Sequence, residues 1–507
     1  MKRTIKDLLI ERTEKHADKT FLFWEDEEIK YSRLLDTARR VSSSLMLRGL
    51  EKDDKVCIWA MNRPEFIYMM LGCAFSGTVL TPINTQFKAD EAQYILQNSQ
   101  AKVLVTQPSF AEMVEKIRPS CPDLKEVIML DEAPGDTVPF NDLYEPKKIV
   151  DREIGEEDIA GIIYTSGTTG YPKGVLLTHH NYHFNAWEIV DAAQMTEADR
   201  FLCILPLFHV NGQLVTVYSP LFAGGSMILL KGFSPKDFLP KLERYQATAF
   251  SGVPTVYAIL NNLPDAGQYD LSKLRFCICG AAPMPVEVFE TFERKYKAFI
   301  LEGYGLSEGT CASSINPLDA PRKIGSIGLP FKGQELKIFD DKDQEVPRGE
   351  VGEIVVRGEN VMQGYYRNPE ATAATLKGAW LHTGDLGHQD QDGYFFIVGR
   401  KKEMIIRGGE NIYPKEIEEV LYKHPAVLDA AVVGLPDKIW GEEVAAFIVP
   451  KQGQEIKDTD VIEYCKGRLA NYKCPRMVFT WAELPKTATG KIQKNRIVEK
   501  YLKQKGQ

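Results

Sequence analysis

The chain has 507 residues, 44% hydrophobic, 10% aromatic and 26% charged, with a formal net charge of -8. This length exceeds what one hydrophobic core holds, so at least two domains are expected, and the composition excludes long disorder and fibrous repeats. The acidic balance speaks against a dedicated nucleic-acid binder. Nine cysteines, with only Cys277 and Cys279 close together and not spaced as CxxC, read as reduced thiols of a cytoplasmic protein without a zinc motif. The charged N-terminus lacks the apolar stretch of a signal peptide. The longest largely apolar run, 66–80, is too short to span a bilayer and reads as a buried helix running into a strand.

From residue 1 to about 300, strand and helix patterns alternate. Ile5, Leu8 and Leu9 mark a first helix. A strand at 55–61, a helix at 65–76 and a strand at 78–83 follow. The pattern recurs as strand 226–230, helix 235–244 and strand 248–250, then as strand 275–279, helix 286–295 and strand 299–301. Such alternation predicts an α/β class with parallel sheets covered by helices. Short, glycine-punctuated segments at 335–339, 353–357 and 394–398 predict a small antiparallel β unit. After the charge run 399–403 comes a compact α+β unit, with helices at 415–422 and 458–470 and strands at 429–433 and 444–449. The expected organisation is a large domain over 1–400 and a small one over 401–507, with the boundary near Lys402.

The sharpest local signal is YTSGTTGYPKGV (164–175), between an apolar strand at 159–163 and a further strand. Its glycines free backbone N–H groups to approach an anion, its hydroxyls add donors, and Lys173 supplies a point charge suited to phosphate. Pro172 and the absence of a directly following helix exclude a Walker A loop. A Gly/Ser/Thr-rich surface loop has similar composition, but the convergence of hydroxyls, glycines and a lysine favours phosphate binding. The second signal, EGYGLSE (302–308), fails as a dinucleotide fingerprint because residue 308 is Glu. Residues 305–309 match the GxSxG elbow of serine hydrolases, which would make Ser307 a nucleophile. They also fit a nucleotide pocket with Tyr304 as a stacking surface and Glu308 as a Mg²⁺ ligand.

These two motifs, followed by PLFH (206–209), GAAP (280–283), LHTGD (381–385), GRKKEMIIRGGENIYPKEIE (399–418) and PKTATGK (485–491), resemble the adenylate-forming acyl-CoA synthetases over essentially the whole chain. The superfamily includes luciferases and peptide-synthetase adenylation domains. The resemblance implies ATP, Mg²⁺ and coenzyme A, and a small-molecule carboxylic acid that is first adenylated and then transferred to the thiol. Thr165, Ser166, Gly167, Thr168, Thr169, Gly170 and Lys173 would hold the β- and γ-phosphates, with Thr165 and Glu308 at Mg²⁺. Gly280, Ala281 and Ala282 would line the adenine beside Tyr304, Gly305 and Ser307, the last standing where the family commonly has Thr. Asp385 and Arg400 would bind the ribose hydroxyls. Lys491 would bridge the carboxylate and the α-phosphate, Lys402 would be the hinge, and Gly408 and Gly409 would let the pantetheine arm pass. His209, Val210, Asn211, Gln213, Ser251 and Val253 would line the acyl pocket.

The expected acid is a medium- to long-chain fatty acid, because no carboxylate stands near Asn211 in the sequence to pair a quaternary ammonium. Asn211 and Gln213, together with LQNSQAKVLVT (96–106) and RGGENIYP (407–414), keep a crotonobetaine/carnitine-CoA ligase, or a ligase of another polar or aryl acid, as the alternative. The serine hydrolase stays as a rival of another class. Neither nucleic acid nor a transmembrane segment is expected, and a homodimer is left open.

Overall fold

The computed structural model describes residues 3–165, 172–263, 266–280, 282, 284–487 and 492–505. Its large N-terminal domain is built on two sheets. In the eight-stranded sheet, Val79–Pro82, Lys55–Trp59, Val103–Thr106 and Glu126–Met129 run parallel at the centre, and the hairpin Ile159–Thr165/Lys173–Thr178 extends one side. In the nine-stranded sheet, Phe299–Tyr304, Phe276–Cys279, Ala249–Gly252, Arg200–Cys203 and Ser226–Leu229 are parallel neighbours. One hydrophobic core takes in Val56 and Leu80 from the first sheet and Leu22 and Phe201 from the second. Helix Pro64–Ser76 belongs to the same core and buries every residue except Glu65, which explains why its stretch of sequence is apolar all round.

The alternation read from the sequence is therefore real, with strand ends moving by one to three residues. Helix Pro235–Arg244 has Pro235 in its first turn, Asp237 near its N-terminus and Phe238, Leu239 and Leu242 buried on one face. The expected small β unit is an antiparallel sheet of Gln334–Phe339, Gly352–Gly358, Trp380–Gln389 and Phe395–Arg400.

The small C-terminal domain has a sheet of its own, in which Val427–Asp437 pairs with Gly441–Pro450. Its side chains alternate between two cores. Ala430, Val432, Val444, Ala446 and Ile448 pack with Ile417, Leu421, Val461 and Cys465. Ala431, Val433, Ala445, Phe447 and Val449 pack on the other face with Leu484 and Ile497. With both faces covered, the strands read as continuous apolar runs. The helix expected over 458–470 ends at Lys466, because Gly467 follows and the chain turns away. Among the described residues no helix is long and apolar enough to cross a membrane.

Candidate active site

A cavity of about 770 Å³ opens where the two large sheets, the β unit and the start of the small domain meet. On the side of the first motif, antiparallel pairing sets Thr165 directly opposite Lys173, and both line the cavity. The next strand, Gly364–Tyr365, pairs with Val175 and Leu176 and brings the Tyr365 ring under Lys173, with Nζ 5.1 Å from the ring centroid. Ser166, Gly167, Thr168, Thr169 and Gly170 lie outside the described residues, as do Ala281 and Lys491.

The strand Phe299–Tyr304 delivers the second motif. A Cβ on Gly305 would stand 1.8 Å from the carbonyl oxygen of Cys311, so only glycine lets the backbones pass here. Ser307, Glu308 and Gly309 then form a single 3-10 turn, with Gly309 N–H donating to Leu306 O at 3.0 Å. Glu308 Oε1 accepts from the Tyr365 hydroxyl at 2.8 Å, and Met362 N–H donates to its backbone carbonyl at 2.8 Å. This turn corrects the hydrolase reading. A nucleophile elbow needs a strand running sharply into a helix with a histidine at the serine. Here no helix follows, and among the described residues no histidine is hydrogen-bonded to Ser307.

Across the cavity, strand register pairs Asp385 with Arg400. Arg400 Nε donates to Asp385 Oδ1 at 2.8 Å, and the Tyr304 hydroxyl donates to Oδ2 at 2.7 Å. Burial and the adjacent Asp385 carboxylate hold the Tyr304 phenol well above its ordinary range. Tyr304, Arg400 and Gly280 line the cavity, whereas Asp385, 5% exposed, stands behind them. Ala282 is not part of the lining. The two Nη groups of Arg400 carry no hydrogen bond among the described residues and are available as donors.

At the inner end, His209 packs on Phe208 with ring centroids 4.5 Å apart. Burial lowers its imidazole to about 4, so the ring is neutral at neutral pH, and its buried Nε2 has no partner among the described residues. Val210, Asn211 and Val253 line the cavity. Ser251 is buried behind Asn211 and donates to its Oδ1 at 3.1 Å. Gln213 is a correction: it does not reach the pocket. Its Nε2 donates to Leu207 O at 2.9 Å, its Oε1 accepts from the Tyr182 hydroxyl at 3.2 Å, and the residue is 1% exposed. The inner wall is instead completed by Ile189, Leu205, Val215, Cys311, Ile315 and Phe331, none of which a motif had marked. Isolated apolar residues carry no sequence signal that separates a pocket wall from ordinary core.

Lys401 and Lys402 edge the cavity on the side of the small domain. The charge run there is more engaged than a solvated loop, since Lys401 Nζ lies 2.8 Å from Asp341 Oδ1 and 3.8 Å from Glu353 Oε2. Gly408 and Gly409 sit in the hairpin turn between Ile405–Arg407 and Glu410–Ile412 at φ of +59° and +90°, away from the cavity lining. A Cβ on Gly408 would come within 2.7 Å of the Trp440 ring, whereas the space beside Gly409 is open. The set Thr165 and Glu308, a hydroxyl and a carboxylate opening onto one polar cavity, is a hard-oxygen donor pair that fits Mg²⁺ completed by phosphate oxygens.

The profile of the AMP-binding enzyme family matches residues 9–366, and that of the AMP-binding enzyme C-terminal domain matches 416–491. The chain is 34% identical to a long-chain-fatty-acid–CoA ligase of Bacillus subtilis, over 98% of this chain and 94% of that protein. It is 35% identical to a feruloyl-CoA synthase of an Amycolatopsis species, over 93% and 94%. Among solved structures, ATP-bound MatB from Rhodopseudomonas palustris superposes with a TM-score of 0.91 at 32% identity, covering 99% of both chains. Apo MatB, at the same identity and coverage, gives 0.79.

Proposed function

The chain belongs to the AMP-binding enzyme family and is an adenylate-forming acid–CoA ligase; on that premise we propose that its acid is a medium- to long-chain fatty acid. The observation that carries this reading is the inner wall of the cavity, where Ile189, Leu205, Val215, Ile315 and Phe331 gather around Val210 and Val253. An alkyl chain burying there gains about 0.8 kcal/mol per CH₂. One observation favours a second reading. Asn211 faces the same wall, and with Ser251 fixing its Oδ1, its NH₂, which carries no hydrogen bond among the described residues, can meet an oxygen on a polar or aryl acid.

In the reading we propose, ATP lies along the cavity. Thr165 and Lys173 hold the terminal phosphates, Tyr304 and Gly280 flank the base, and Arg400, backed by Asp385, donates to the ribose. Mg²⁺, held by Glu308 and Thr165, would neutralise charge on the phosphates. A carboxylate oxygen of the acid attacks the α-phosphorus, the bond to the β-phosphate breaks, and pyrophosphate leaves. Lys491 supplies a cation to the charge that develops at the α-phosphate. The sulfur of CoA then attacks the acyl carbonyl, its proton is released, and AMP departs. The better match to the ATP-bound than to the apo form of MatB supports a domain arrangement suited to the first step. The cytoplasm, where ATP and CoA are available, is the proposed location.

The test is AMP release over a panel of carboxylic acids with ATP and CoA. A maximum at alkyl acids supports the reading. A maximum at ferulate-like or small anionic acids overturns the preference for fatty acids, and release independent of CoA overturns the second step.

A further inference from the structure

Helix Lys494–Gln504 begins three residues after Lys491, with a lysine in its first turn. That is an unfavourable place for a cation, because the N-terminal end of a helix carries partial positive charge. Lys494 is nevertheless drawn inward, its side chain 17% exposed, and it is held by two carboxylates from different parts of the small domain. Its Nζ lies 2.8 Å from Glu418 Oε1 and 3.3 Å from Glu403 Oε2. Glu418 is on helix Pro414–Tyr422, and its Oε1 also accepts from Val432 N–H at 2.8 Å, which ties the cluster to strand Val427–Asp437. Glu403 closes the 3-10 turn Lys401–Glu403, one residue past Lys402.

A covered cluster of one cation and two carboxylates is a poor source of stability, since desolvation consumes most of the attraction. Its value is geometric. It fastens the segment leaving the boundary, the first helix of the small domain and helix Lys494–Gln504 into one body. The same helix Pro414–Tyr422 reaches the large domain, where Lys415 Nζ donates to Ile397 O at 2.7 Å.

Resting on the adenylation role read above for Lys491, we propose that Lys494 is a positioning residue, which locks the start of its helix, three residues after Lys491 in the chain, to the segment beyond Lys402 so that domain rotation delivers Lys491 to the reacting phosphate. Lys494 itself touches neither ATP nor acid. A displacement of about 1 Å in a catalytic group is enough to cost roughly 10²-fold in rate.

The experiment compares wild type, Lys494→Met, Lys494→Arg and Lys491→Ala in pyrophosphate exchange. Nucleotide affinity and acyl transfer from ready-made acyl-adenylate are measured on the same preparations. Lys494→Met should lower the kcat of adenylation by roughly 10²-fold, leave KM for ATP and the transfer step unchanged, and be largely rescued in Lys494→Arg. The proposal is overturned by a Lys494→Met enzyme that adenylates at the wild-type rate. It is equally overturned if nucleotide affinity and transfer fall together with adenylation, or if Lys494→Arg is as slow as Lys494→Met. If Lys491→Ala is itself as fast as wild type, the adenylation role of Lys491 falls. A slow Lys491→Ala beside a fast Lys494→Met removes only the positioning role.

Discussion

The hydroxyl of Tyr365 donates a 2.8 Å hydrogen bond to Glu308 Oε1 while its ring lies beneath the Lys173 ammonium. One side chain thus links Lys173, proposed for the phosphates, to the carboxylate proposed for Mg²⁺. Tyr365 is held there by pairing with Val175 on strand Lys173–Thr178. Glu308→Gln keeps the size and removes the charge, so pyrophosphate exchange should fall by roughly 10²-fold or more and require higher Mg²⁺. Tyr365→Phe removes one hydrogen bond to a charged group, about 1.5–3 kcal/mol, so a loss near tenfold to a hundredfold is expected. Mg²⁺ titrations of both variants check the order. Unchanged exchange with unchanged Mg²⁺ dependence in Glu308→Gln removes Glu308 from the metal site.

The two polar residues after His209 should behave oppositely. Asn211 opens onto the cavity, so Asn211→Leu is expected to be tolerated or to improve binding of alkyl acids and to raise KM for acids with a polar tail. Gln213 bridges Tyr182 and Leu207 inside the core. Gln213→Leu leaves both partners unpaired and should cost about 1–3 kcal/mol of stability without changing the order of preferred acids. Thermal melts and an acid panel on both variants separate the two. A Gln213→Leu enzyme with altered acid preference and normal stability contradicts this placement.

Cavity residues that stand in contiguous motifs were legible from the sequence, and those that reach the cavity only through tertiary packing were not. Thr165, Lys173, Tyr304, Gly305, Glu308 and Arg400 stand in short runs whose glycines and charges announce a binding loop, and all line one cavity. Val215 and Phe331 enter the same cavity from distant segments, and nothing in a single apolar residue marks it as pocket rather than core. Gln213 fails for a related reason. Residues 210–213 form one helical turn, so neighbours two apart point in different directions, and Asn211 and Gln213 cannot share a wall. The fold was easier to read because its periodicity repeats over many elements. Where both faces are covered, as at Val427–Asp437, a strand's alternation is hidden and its ends are read short.

Acid should loosen the docking of the N-terminal helix. Ile5 N–H donates to His179 Nδ1 at 3.3 Å, and burial lowers His179 to about 4 despite the nearby Asp158. In the unfolded chain the ring titrates near 6.5. Between those values the unfolded state binds a proton that the folded state refuses, so this contribution is lost as pH falls from about 6.5 to about 4. Glu188 and Glu302, raised to about 7 by burial, act in the opposite direction and lose stability as pH rises from 4.5 to 7. The variant isolates the histidine. His179→Leu should melt lower at pH 7 and show a flatter decline between pH 6.5 and 4. An unchanged slope assigns the acid sensitivity elsewhere.

The last prediction separates the two half-reactions. Lys402 lies in the 3-10 turn joining strand Phe395–Arg400 to strand Ile405–Arg407, at the edge of the cavity and at the start of the small domain. If the small domain rotates there, one of the two arrangements serves adenylation and the other thioester formation. Lys491→Ala should slow acyl-adenylate formation by roughly 10²–10³-fold, the usual cost of one preorganised donor, and spare transfer from acyl-adenylate supplied ready-made. Lys402→Pro acts on the other half. Proline fixes φ near −65°, compatible with the first turn of a 3-10 helix, and the N–H it removes lies in that turn, where no helical partner is required. The arrangement seen here is thereby retained, while the altered backbone of a rotated state is denied. The expected outcome is normal pyrophosphate release in a single turnover, followed by failure to pass the acyl group to CoA. Rapid-quench measurement of acyl-adenylate and acyl-CoA from one reaction decides it, and equal slowing of both steps, or of neither, rules out a hinge at Lys402.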